Sequence, residues 1–139
     1  MPSAYREIIV GARTQFVVKV SPEDYDFLMQ WRWTFARSHG PWSGLIYARR
    51  SVSSPSGNVT ILMHRVIIAE RMGIERPSEK HFVDHDNGDS LDNRRRNDRR
   101  RQQLNWLTHP ENMAKRKHTP NKIVMPRLPP ESGLTEIPF

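Results

Sequence analysis

Alternation of apolar and polar positions predicts three strands in the first half of the chain, with helical spacing between them. "TQFVVKV" (Thr14 to Val20) is rich in β-branched residues and is predicted as a strand. "SPEDYDFLMQWRW" then changes period. Ser21 is a good helix cap, Pro22 suits the first helical position, and Glu23 and Asp24 favour the positive end of the helix. Tyr25, Leu28 and Met29 share one helical face, and Trp31 and Trp33 are assigned to the core. A loop over "SHGPWSG" (Ser38 to Gly44) leads to the strand "LIYARRSV". Its alternation puts Tyr47, Arg49 and Ser51 on one face and Ile46, Ala48 and Arg50 on the other. A turn at "SSPSGN" precedes the third strand, "VTILM" (Val59 to Met63). The first half is therefore expected to be one small antiparallel sheet with a helix between its strands.

"HRVIIAERMGI" is predicted helical with a stop at Gly73. "FVDH" carries a strand ending at Asp84 and His85, and a long polar loop follows. "QLNWLT" (Gln103 to Thr108) alternates as a strand, with Leu104 and Trp106 on one face. Thr108 and Glu111 have the spacing of a capping box for a last helix through "THPENMAKRKH". The segment 119–139 holds five prolines and little periodicity, which predicts an extended or disordered tail. The fold class is thus α+β, divided into an N-terminal sheet-and-helix region (1–80), a compact module (81–118) and the tail.

Composition narrows the partner. The net charge of +7 over 139 residues points to a polyanion. Six arginines lie within Arg94 to Arg101 (Arg94, Arg95, Arg96, Arg99, Arg100 and Arg101). Such a run repels itself unless a phosphate backbone neutralises it, and Asp92 and Asp98 are not expected to do so. Lys115, Arg116 and Lys117 extend the basic surface, and Arg49 adds to it from the N-terminal region. The absence of cysteine excludes disulfides, thiolate zinc sites and cysteine nucleophiles. No apolar run approaches the roughly 20 residues of a membrane span, and "MPSAYREIIV" lacks a signal peptide's order. The expectation from composition is an intracellular protein with nucleic acid as its partner and no membrane contact.

The chemistry centres on "FVDHDNGDSLDNRRRNDRRR" and the helix after it. Asp84 and His85 end one strand, and Asn112 lies in the first turn of the last helix. If the strands pair and the helix folds across them, a carboxylate and an amide oxygen converge. Such hard oxygen donors suit Mg²⁺ or Mn²⁺. His85 is on the opposite pleat face from Asp84, so it would stand beside the ion and activate water. Asp86 and Asp89 read as solvated loop carboxylates, either able to assist in holding the ion. Asp92 and Asn93 read as turn residues, and His64 as a packing residue.

"VDHDNGDSLDNRRRN" followed by "LNWLTHPEN" resembles the HNH endonucleases of the phage and intron-homing branch. "LMHRVI" and "SPEDYDFLMQWRW…YARR" resemble the region often joined to that module, so the likeness runs over residues 14–118. The resemblance implies a ββα-metal fold, with one divalent ion on Asp84 and Asn112. It implies His85 as general base, double-stranded DNA as the partner in a cytoplasmic setting, and products with 5′-phosphate and 3′-hydroxyl ends. Asn97, at the family's spacing from His85, would be the middle Asn that braces the loop and orients the base. One departure stands out: Asn97 is followed by "DRRRQQ" before Leu104. Either an arginine-rich insertion follows Asn97, or Gln103 takes the middle position. The same departure motivates the alternative of a DNA-binding protein with a vestigial nuclease centre. A second, architectural likeness is to the plant ethylene-response type of DNA-binding domain, a three-stranded sheet with an arginine face. Nothing in these motifs specifies the oligomeric state, on which nicking or double-strand cutting depends.

Overall fold

The structure, a computed structural model, describes residues 4–38 and 45–118, with side chains through Lys115. The predicted loop at residues 39–44 and the predicted tail at 119–139 lie outside the described residues, as do the side chains of Arg116 and Lys117. The described chain is α+β, with small sheets and short helices.

β1 (Arg6–Val10) and β2 (Phe16–Val20) form an antiparallel pair in which Ile8 lies opposite Val18 and Val10 opposite Phe16. Ile8, Val10, Val18 and Val20 are buried, and Ile9 and Val17 on the other face are exposed, the alternation of a half-buried sheet. α1 (Pro22–Leu28) follows. β3 (Thr34–Arg37), β4 (Ile46–Ser54) and β5 (Gly57–Leu62) make a second antiparallel sheet.

This pairing corrects the single N-terminal sheet expected from the sequence. β2 does not join β4 and β5; it pairs with β1 and, in parallel, with β7 (Asp92–Asn93) of the second half. The place beside β4 is taken by β3, which the pattern did not single out. The predicted division of faces on β4 holds. Ala48 is buried, and Arg50 on the same face lays its guanidinium 4.2 Å from the Trp31 ring centroid. Trp33 is buried, and its indole N–H donates to Leu28 O at 2.9 Å.

α2 is a single turn, Met63–Arg65, which continues as a π-helix over Val66–Arg71. Bonds from Met72 N to Ile67 O (2.8 Å) and from Ile74 N to Ile68 O (2.9 Å) close this wide end. Gly73 takes φ +73° there, a conformation a side chain resists, and so ends the helix where the sequence predicted. Met63, His64, Ile67 and Ile68 are fully buried.

β6 (His81–His85) and β8 (Leu104–Thr108) pair antiparallel, and α3 (His109–His118) follows directly. The predicted capping box is present. Thr108 N donates to Glu111 Oε1 at 2.8 Å, and Glu111 N to Thr108 Oγ1 at 3.3 Å. Val83 and Leu104 join residues of both N-terminal sheets in one core. The boundary at residue 80 is thus crossed by the core and by the β2–β7 pairing.

Candidate active site

β6 presents its last two side chains in opposite directions, as its pleat requires. His85 faces inward with Val83 and is 9% exposed. Asp84 faces outward, towards α3. The turn after β6 is closed by Gly88 N donating to His85 O at 2.8 Å, with Gly88 at φ +80°.

His85 Nε2 lies 2.9 Å from Asn93 Oδ1. An amide oxygen only accepts, so Nε2 carries the proton and the neutral ring keeps its lone pair on Nδ1. Burial holds the imidazole pKa below its ordinary value, partly offset by the Asn93 bond and by Asp84, Asp89 and Asp92. His85 is therefore neutral at pH 7. The His64 ring meets it edge to face, with centroids 5.2 Å apart, and meets Tyr47 of β4 at 6.2 Å. His64 is itself held well below the ordinary range, by burial first and then by His85 and Arg65.

Asn93, read from the sequence as a turn residue, is the partner of His85. Asn97, expected to orient the histidine, does not supply that bond. Its Nδ2 donates to Asp86 Oδ2 at 2.8 Å and Gln103 Oε1 at 2.9 Å, and its Oδ1 accepts from Arg99 N and Arg101 N. The physical reason is the parallel pairing of Asn93 with Val20, which fixes Asn93 beneath β6. Gln103 does not reach His85 either. It is fully buried and ties the loop together, donating to Asn87 Oδ1 (2.7 Å) and Asp92 O (3.0 Å). The residues between Asn97 and Gln103 form a tight excursion, closed by Asn97 N to Arg101 O (3.0 Å) and the Arg96–Gln102 bridge.

Asp84 is met by Lys115, whose ammonium also donates to Asp86 O at 3.2 Å. Lys115 and Asn112 are three residues apart, one above the other on the same face of α3. Asn112 therefore shares the helix face whose Lys115 reaches Asp84. Lys115, assigned from the sequence to DNA, is the counter-ion of Asp84 in the structure. Among the described residues no group of three or more His, Asp or Glu side chains could hold a metal. The oxygen donors expected from the sequence are Asp84, with a cation already drawn to it, and the Asn112 amide, on the helix face that carries Lys115. Oxygen donors of these types are ones that Mg²⁺ and Mn²⁺ take, with waters and phosphate oxygens completing the shell.

The arginine run divides in two. Arg94 is 2% exposed and grips the 1%-exposed Asp92 with two bonds, Nε to Oδ1 (2.8 Å) and Nη2 to Oδ2 (2.7 Å). It also reaches Asp98 at 2.8 Å. These acids raise its pKa further, Asp92 most. Arg95 clasps the fully buried Asp24 of α1 from 2.9 and 2.6 Å, and Arg71 approaches the same carboxylate at 3.0 Å. Arg101 pairs with both oxygens of Asp86. Burial alone would raise the Asp86 pKa, but Arg101 and Asn97 hold it below the usual carboxylate range.

Three of the six arginines assigned to phosphate are thus engaged by acids of the chain itself: Arg94 lies inside the protein, Arg95 locks α1 to the loop, and the exposed Arg101 pairs with Asp86, whose carboxylate is largely covered. Asp92 and Asp98, expected to leave the run unneutralised, both pair with Arg94. Arg96, Arg99 and Arg100 are exposed at the loop tip. Arg100 sits there at φ +63°, an unusual conformation for a non-glycine residue. Arg49 is half-buried on β4, on the same face as Tyr47.

No helix among the described residues is long and apolar enough to cross a membrane. No family model, no curated protein and no solved structure matches the chain.

Proposed function

We propose that the protein is a metal-dependent DNA endonuclease of the HNH type, with β6, β8 and α3 as its ββα-metal module. The observation that carries this reading is His85: buried, neutral, anchored through Nε2, and one residue from a carboxylate that faces the Asn112 side of α3. A divalent ion held by Asp84 and Asn112 would supply charge stabilisation at the scissile phosphate and its 3′ leaving oxygen. His85 Nδ1 takes the proton from the attacking water, and Asn93 steadies the imidazolium by accepting from Nε2. Arg96, Arg99 and Arg100 at the loop tip grip the DNA backbone, and Arg49 adds a cation on the β4 face that leads through Tyr47 and His64 to His85. Products carry 5′-phosphate and 3′-hydroxyl ends. As a bacterial or phage-encoded enzyme it acts in the cytoplasm.

One observation favours a second reading. The Lys115 ammonium on Asp84 is also what a DNA-binding protein with a disused centre would carry. Incubation of the protein with supercoiled plasmid and Mn²⁺ or Mg²⁺, with and without chelator, separates the two. The nuclease gives chelator-sensitive relaxed or linear product. Binding without any cutting supports the disused centre.

A further inference from the structure

Four acids in and around the loop are neutralised in two different ways. Asp24, Asp86 and Asp92 are held by arginines, each through at least two guanidinium hydrogen bonds. Asp84 is held by a lysine from another element, α3. A guanidinium fork fixes a carboxylate. An ammonium is a compact, strongly hydrated point charge on a flexible stem, and it leaves more readily. The pair is open to water at its edge, with side chains 29% and 15% exposed for Lys115 and Asp84. The atoms that converge on Nζ are a carboxylate oxygen of Asp84 and the backbone carbonyl of Asp86. These are the donor types that Mg²⁺ and Mn²⁺ take.

We infer that Lys115 is a resident cation of the Asp84 site, one that a divalent ion must displace in order to bind. The inference rests on the proposed role of Asp84 as a metal ligand. Lys115 keeps that carboxylate neutralised and oriented in the metal-free protein, and its departure on metal entry weakens the apparent metal affinity. The site is therefore tuned to bind its ion weakly until the ammonium moves aside.

The test is Mn²⁺ binding to the full chain, measured by titration calorimetry without DNA, for wild type, Lys115→Met, Lys115→Arg and Asp84→Asn. Removing a partly exposed ionic competitor is expected to tighten Mn²⁺ binding about two- to fivefold in Lys115→Met. Lys115→Arg keeps the charge and can chelate the carboxylate with its fork, so it is expected to bind Mn²⁺ no more tightly than wild type. Asp84→Asn is expected to lose the binding. Mn²⁺ binding to Lys115→Met alone, with none to wild type, would support the same competition in a stronger form. Unchanged affinity in Lys115→Met, with Asp84→Asn still defective, overturns the role of Lys115 and leaves the ligand assignment standing. Binding by Asp84→Asn equal to wild type overturns the ligand assignment itself, and the inference with it.

Discussion

Replacing Asn93 with Leu removes the acceptor of His85 Nε2 while keeping volume and burial close to the original. Asn93 is fully buried and His85 nearly so, which leaves little water to replace the 2.9 Å bond. A buried donor without its partner costs about 1–3 kcal/mol. If that cost falls on the oriented imidazolium of the transition state, the rate drops about 5- to 150-fold. Asn93→Asp preserves the acceptor and adds a negative charge beside the ring. It is expected to keep most of the rate and to move the acid limb of the pH profile upward. The assay is single-turnover plasmid cleavage in Mn²⁺, with DNA affinity followed separately by anisotropy. Asn93→Leu should change the rate and leave the affinity alone. Asn97→Ala should act differently, lowering the unfolding temperature because four hydrogen bonds within the loop are lost. An Asn93→Leu enzyme that cuts at the wild-type rate would refute the reasoning that this amide positions the base.

Arg94→Met strands the buried Asp92 carboxylate and is expected to destabilise the fold by about 3–5 kcal/mol, read by thermal or urea unfolding. A loss below about 1 kcal/mol would show that the pair is not structural. Arg100→Gly relieves the left-handed backbone at the loop tip. It is expected to raise stability by up to about 1 kcal/mol while weakening DNA binding, and lower stability would contradict the strain argument. Arg99→Gln with Arg100→Gln should flatten the slope of log affinity against log salt by up to about 1.8, equally on two unrelated duplexes. An unchanged slope removes these residues from the interface. His64 and His85 both have folded pKa values below their unfolded value near 6.5, so the unfolded chain binds their protons first. Stability is full above pH 6.5 and is expected to fall as pH drops below it. An unfolding temperature that is flat from pH 7 to 5 would contradict this.

Local signals carried much of this architecture. The β-branched run of β2, the alternating faces of β4, the capping box of α3 and Gly73 after α2 each act within a few residues, so sequence spacing reveals them. What remained hidden depends on partners far along the chain. Ser21 looks like a helix cap, yet its Oγ makes no cap bond in α1 and instead accepts from Arg95 N at 2.8 Å. Asp24 suits the helix dipole, yet it is the buried counter-ion of Arg95, 71 residues away. The arginine run looked unneutralised because Asp24 and Asp86, which hold Arg95 and Arg101, lie outside it in the sequence. Asn93 and Asn97 are chemically identical at sequence level. Only the two-residue pairing of β7 with β2 puts Asn93 under His85. A two-residue strand inside a charged loop has no periodicity from which to predict it.

In the proposed reaction, Asp84 and His85 carry out metal-dependent hydrolysis of DNA. The most direct measurement is the single-turnover cleavage rate in Mn²⁺ for wild type and His85→Ala, at DNA concentrations shown by anisotropy to saturate both. Loss of a general base is predicted to lower the rate about 10²–10⁴-fold with DNA affinity unchanged. Equal cleavage by the two proteins, or no chelator-sensitive cleavage by wild type, would contradict the account.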